Sequence, residues 1–184
     1  MVDVHYSRYV ALGDSQTEGL WDTDDTGALI GFADRLAWLL DGYSPGIEYA
    51  NLAVRGKRIR DVLEVQLPEA VAMRPDLITM CVGMNDVTRP GRKFDQALVD
   101  LDILHDRLAL TGATVVTTTF PNLARVLPAG RILVARVLRS NDVTRAAPAR
   151  HGFPPIDLYH PDSVPVPGAG VRRAREGVTS MVRL

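Results

Sequence analysis

The chain reads as an α/β protein built on a doubly wound, mostly parallel five-stranded sheet with helices on both faces. Three observations carry that reading. Short apolar runs alternate with longer stretches of helical periodicity, the pattern of parallel strands joined by helical crossovers. The run at residues 77–82, Leu-Ile-Thr-Met-Cys-Val, is nearly continuous in its apolar character, as in strands buried on both faces. Small polar clusters follow directly on three of the runs, at the strand ends where open α/β sheets bind ligands.

Taken in order, residues 9–12 form the first strand and end on Gly13-Asp14-Ser15. Within residues 30–40, Phe32, Leu36, Leu39 and Leu40 recur at helical spacing. Residues 47–52 make a second strand, with Arg55-Gly56 just beyond it, and Ile59, Val62, Leu63, Val65 and Leu67 mark a second amphipathic helix. Pro75-Asp76 breaks the chain before the third strand, 77–82, which runs into Gly83-Met84-Asn85-Asp86. Residues 94–110 place Leu98, Leu101, Leu104 and Leu108 on one stripe, and Gly112 supplies the stop. The β-branched stretch 113–119 is a fourth strand, 123–150 is helical in part, and 156–158 is a short fifth strand. Residues 161–170, Pro-Asp-Ser-Val-Pro-Val-Pro-Gly-Ala-Gly, exclude a regular helix, which leaves 161–184 an atypical tail.

At 184 residues the whole chain, 1–184, is expected to be one domain. Hydrophobic residues are 46% and charged residues 23%, the balance of a soluble globular protein. A formal net charge of -1 gives no basic field to draw in nucleic acid or an anionic membrane. Cys81 is alone, so no intramolecular disulfide is possible. No signal peptide is recognisable, and no apolar run approaches the ~18 residues of a membrane span. The resulting expectation is a cytoplasmic protein without a nucleic-acid partner, its oligomeric state open. No His/Cys/carboxylate cluster has metal-ligand spacing. Asp22-Thr23-Asp24-Asp25-Thr26-Gly27 faintly suggests a calcium loop, but Ala33 stands where the closing glutamate belongs. Neither metal nor cofactor is expected.

A serine hydroxyl is a poor nucleophile until a base accepts its proton and hydrogen-bond donors stabilise the developing oxyanion. A glycine-containing turn after a strand can display Ser15 and leave backbone N–H groups free. Gly56 can add another N–H where a side chain would block approach, and Asn85 brings a side-chain amide from the neighbouring strand end. Asp14 and Asp86 suit loop support, their carboxylates accepting from nearby backbone N–H groups. Cys81, inside a buried strand, reads as core. His105 reads as part of a solvated helix face beside Asp102 and Asp106.

Gly13-Asp14-Ser15-x-Thr17-x-Gly19, then Gly56, then Gly83-x-Asn85-Asp86 resembles the SGNH hydrolase family, the GDSL-type esterases and lipases. The likeness covers roughly the first 120 residues. It implies a flavodoxin-like, doubly wound domain and a small-molecule ester substrate. It also implies Ser15 as nucleophile, with the Ser15 and Gly56 N–H groups and the Asn85 amide as oxyanion hole. The family closes on Asp-x-x-His, in which the histidine is the base and the aspartate orients it. Asp157-Leu158-Tyr159-His160 has that spacing and would make Asp157 and His160 catalytic. A second alignment sets Asp162-Ser163-Val164-Pro165 there, with proline in the histidine position. Two functions therefore stand side by side. One is a serine esterase working through an acyl-enzyme; the other is a catalytically impaired relative, or a flavodoxin-like anion-binding module, that binds without turnover.

Overall fold

Four parallel strands make the centre of the protein: β1 (Arg8–Gly13), β2 (Glu48–Asn51), β3 (Leu77–Cys81) and β4 (Thr114–Thr117), in the order β2-β1-β3-β4. The computed structural model describes residues 5–20, 22–89, 93–126, 128–153 and 155–159. From β1 the chain steps outward to β2, then crosses back over β1 to β3 and on to β4. That reversal places the topological switch point between β1 and β3, where the carboxyl ends of the strands open a crevice.

Alternate residues of each strand serve opposite layers. On one face Val10, Leu12, Ile78, Met80 and Val115 pack against the helical stretch 59–72 and helix α6 (Phe94–Ala109). The predicted leucine stripe is the seam, with Leu101, Leu104 and Leu108 buried and each stabilising by about 1.5–3 kcal/mol. On the other face Tyr9, Ala11, Leu77 and Cys81 meet Phe32, Ala33 and Ala37 of helix α2 (Phe32–Tyr43).

The helix expected near 59–67 continues to residue 72 in three parts: α3 (Ile59–Asp61), a π-helical turn (Val62–Gln66) and α4 (Leu67–Ala72). Within it the Leu67 N–H donates to the Val62 carbonyl, five residues back. Pro68 accounts for the widening, because its ring cannot donate to the Glu64 carbonyl and would crowd it in a regular α-helix. Further on, 123–150 resolves into α7 (Leu123–Val126), a 3-10 segment (Pro128–Leu133) and α8 (Val134–His151).

Three features differ from the sequence reading. The fifth strand is reduced to a single parallel bridge between Thr118 and Ile156, with the Ile156 N–H on the Thr117 carbonyl at 2.8 Å. Proline, which has no N–H to donate to a ladder, stands at position 155 just before it. Two short helices, α1 (Ser15–Glu18) and α5 (Met84–Thr88), replace the expected loops after β1 and β3. His105 is not on a solvated face: it is fully buried, with its ring 6.3 Å from that of Phe153. Burial depresses its pKa to about 4. Asp102 and Asp106 pair with Arg150 and His151 respectively. Among the described residues no helix is long and apolar enough to cross a membrane.

Candidate active site

The turn after β1 is shaped by a glycine that no other residue can replace. At Gly13 φ is +153°, and an added Cβ would lie 2.3 Å from both the Cys81 carbonyl oxygen and Thr17 Oγ1. The next peptide N–H, of Asp14, donates to that Cys81 carbonyl, tying the turn to β3. Asp14 then caps α1, accepting the Gln16 N–H at 3.2 Å on its carboxylate. Ser15 is therefore the first residue of a short helix at the sheet rim, half-buried at the switch point.

Asn85, from the first turn of α5, reaches back into this turn. Its Nδ2 donates to Asp14 Oδ2 at 3.2 Å and to the Lys57 carbonyl at 2.8 Å. One carboxamide thus joins the segments after β1, β2 and β3. Gly56 stands just before Lys57 in an exposed turn with φ +77°, and nothing lies within 4 Å of where its Cβ would be. The turn is also held from its other side, since the backbone N–H and the Nε of Arg55 both donate to the Glu18 carboxylate. Asp86 accepts the Ile59 N–H at 3.1 Å and so fixes the start of α3.

The electrostatics follow from burial. Asp14 is only 1% exposed, and desolvation lifts its pKa to about 6; N–H groups of Gln16 and Gly83 oppose the rise and the Asp86 charge adds to it. Asp86 is likewise raised, chiefly by burial. The Cys81 thiol is pushed up to about 12 by burial, which leaves it un-ionised. It donates to Gln16 Oε1 and accepts from the Thr118 hydroxyl, extending the rim from α1 to the end of β4.

Asp157 lies on that far flank, next to Ile156. It accepts from the Thr119 hydroxyl at 2.7 Å and the Tyr159 N–H at 2.9 Å. The Arg145 guanidinium forks onto both of its oxygens at 3.1 Å. Burial alone would raise this carboxyl, but the Thr119, Tyr159 and Arg145 contacts together hold it below the ordinary aspartate range. His160 lies outside the described residues, as does the competing stretch 162–165. The structure thus joins the turns that carry Ser15, Gly56 and Asn85, and sets Asp157 beyond β4.

The sequence reading missed Gln66, whose carboxamide makes two bonds to the Gly13 peptide. A signal was available: a polar residue at a position of the helical stripe that Leu63, Leu67 and Ala70 otherwise fill.

A doubly wound parallel sheet flanked by helices, with Ser15 at its switch point, defines the α/β class of the protein. A sequence model of the GDSL-like lipase/acylhydrolase family matches residues 11–174. The chain belongs to that family, a family of ester hydrolases. A search of curated protein sequences finds no match. Among solved structures, the chain is similar to LAE5, an alpha/beta hydrolase enzyme from the metagenome of Lake Arreo, Spain. The TM-score is 0.70 and the identity 22%, over 100% of this chain and 96% of that one. It is also similar to a variant of an acetyl-xylooligosaccharide esterase from Geobacillus stearothermophilus, with TM-score 0.71, identity 16% and coverage of 100% and 95%. At these identities the likeness establishes the fold.

Proposed function

We propose that the protein is a serine esterase that cleaves a small or acyl-substituted ester through an acyl-enzyme on Ser15. Ser15 Oγ attacks the ester carbonyl carbon while His160, oriented by Asp157, takes its proton. The alcohol leaves with that proton, and water repeats the sequence to release the acid. The Ser15 and Gly56 N–H groups and the Asn85 amide receive the negative charge on the carbonyl oxygen. The observation that supports this most is the Asn85 carboxamide, bound at once to Asp14 and to the Lys57 carbonyl, which holds three donor-bearing turns in one cluster.

Both Nδ2 hydrogens of Asn85 are engaged in this arrangement, so the oxyanion must take one over. The longer bond, to Asp14, is the one to yield. The carboxyl there is partly protonated near neutral pH and competes less strongly than an ordinary aspartate. Because the structural neighbour acts on acetylated xylooligosaccharides, acetyl esters of carbohydrates are the first natural substrates to try.

The forked Arg145 contact favours a second reading of Asp157, as a latch between the 155–159 segment and α8. Hydrolysis of p-nitrophenyl acetate by the wild type, Ser15→Ala and His160→Ala separates these readings. The expected result is a clear wild-type rate lost by about 10³-fold or more in both variants. A Ser15→Ala rate equal to the wild type's sinks the nucleophile. A His160→Ala rate equal to the wild type's moves the base elsewhere and leaves Asp157 as the latch.

A further inference from the structure

We infer that Gln66 is a positioning residue for the nucleophile, its side-chain amide standing in for a missing strand at the peptide that leads into Asp14-Ser15. The inference rests on Ser15 being the nucleophile.

In a parallel sheet each interior strand gives alternate peptide groups to its two neighbours. On the β3 side of β1 the ladder reaches the end of the strand, where the Asp14 N–H meets the Cys81 carbonyl. On the β2 side it runs short. β2 stops at Asn51, and beyond it only the Leu52 N–H, on Ala11 O at 2.9 Å, and the Val54 N–H, on Gly13 O at 3.4 Å, continue toward β1. The Gly13 N–H would be buried without a partner, at a cost of roughly one unmade hydrogen bond.

Gln66 fills that place from the layer above. The Gly13 N–H donates to its Oε1 at 2.9 Å, and its Nε2 donates to the Gly13 carbonyl at 2.9 Å. The carboxamide therefore gives Gly13 both the acceptor and the donor that two peptides of an adjacent strand would otherwise supply. Gln66 is 5% exposed, and both of its bonds are buried.

Gln66 is the last residue of the π-helical turn. Val62 and Leu63 share the inward face with Gln66 and Leu67, the i and i+4 spacing of one helix face. π turns of one winding recur at functional sites. Here the turn before Pro68 carries the polar side chain that meets Gly13, two residues before Ser15. Gly13 already sits at φ +153°, between Cys81 and Thr17. Gln66 fixes its remaining side, so the orientation of the Asp14 and Ser15 peptides is set by contacts on every edge.

The test is steady-state hydrolysis of p-nitrophenyl acetate by the full chain as wild type, Gln66→Leu and Gln66→Glu. Leucine keeps the bulk and removes both bonds. Its kcat should fall about 10- to 100-fold with KM within about twofold, the signature of a displaced reacting group. A neutral glutamic acid can offer both an acceptor and a donor, and its carboxylate cannot donate. The Gln66→Glu rate relative to wild type should therefore rise as pH is lowered from about 8 to about 5. A Gln66→Leu variant that melts earlier yet keeps wild-type kcat where it is folded overturns the inference. If Gln66→Leu does not fold, a Gln66→Glu ratio that stays flat with pH overturns it. A wild type that neither hydrolyses the ester nor reacts at Ser15 with a fluorophosphonate removes the nucleophile itself, and this inference falls with it.

Discussion

The two ends of the sheet rim are built differently. Around Ser15 the buried contacts are mostly neutral and backbone-directed, Gln66 on Gly13, Asn85 on Asp14 and Lys57, Thr17 on Leu12 and Cys81, with the Arg55–Glu18 ion pair only on the outer side. Around Asp157 it is held by an ion pair, with Arg145 and Asp157 each 29% exposed at the side chain. The first arrangement fixes positions at low cost in buried charge, since its most buried carboxyl, Asp14, is half-way to neutrality near pH 6. The second is partly wet and open to screening by salt. Geometry at the Ser15 end should therefore be stiff and pH-sensitive, and geometry at the Asp157 end salt-sensitive.

The largest expected effect that would break this contrast is Gly13→Ala. A methyl group 2.3 Å from the Cys81 carbonyl, at a positive φ, should destabilise the protein by about 3 kcal/mol or more. Chemical denaturation would measure it, and a loss below about 1 kcal/mol would mean that the turn is pliable.

Next comes Asp14→Asn, which keeps the cap and removes the charge. The folded pKa of Asp14, about 6, lies above the ordinary value of 3.8. Its contribution to stability is thus fully present below about pH 4 and is lost as pH rises through about 6, in total roughly 3 kcal/mol. The variant lacks that loss. Its stability relative to wild type should climb between pH 4 and pH 8, as read from thermal melts across that range. A difference that does not change with pH would place Asp14 in a wetter site than its burial indicates.

The smallest effect belongs to the far flank. Arg145→Met should cost about 1 kcal/mol, shrinking as salt is raised. Equal loss at low and high salt would show that Asp157 depends on packing more than on the ion pair.

The same contrast explains what could be read from the sequence. Strands 77–82 and 9–12 were legible because strands buried on both faces are apolar throughout, and the leucine stripe of α6 because its period is strict. The Gly13-Asp14-Ser15 and Gly83-Met84-Asn85-Asp86 blocks were legible because each follows such a strand. What escaped depends on contacts distant in the chain. Gln66 meets Gly13 across 53 positions, through a π turn that ordinary helical periodicity does not announce. His105 reads as exposed beside two aspartates, yet it is fully buried, with its ring beside Phe153, 48 positions away. The fifth strand reads as regular in sequence, but its contact with the sheet is the single bridge between Thr118 and Ile156.

The central claim is that this rim presents Ser15 as the reactive group. Treatment of the wild-type protein with a fluorophosphonate, followed by peptide mapping by mass, tests it most directly. The account predicts one stoichiometric adduct, on the peptide carrying Ser15, and none in Ser15→Ala. An adduct on another residue, or no adduct on a folded wild type, would contradict it.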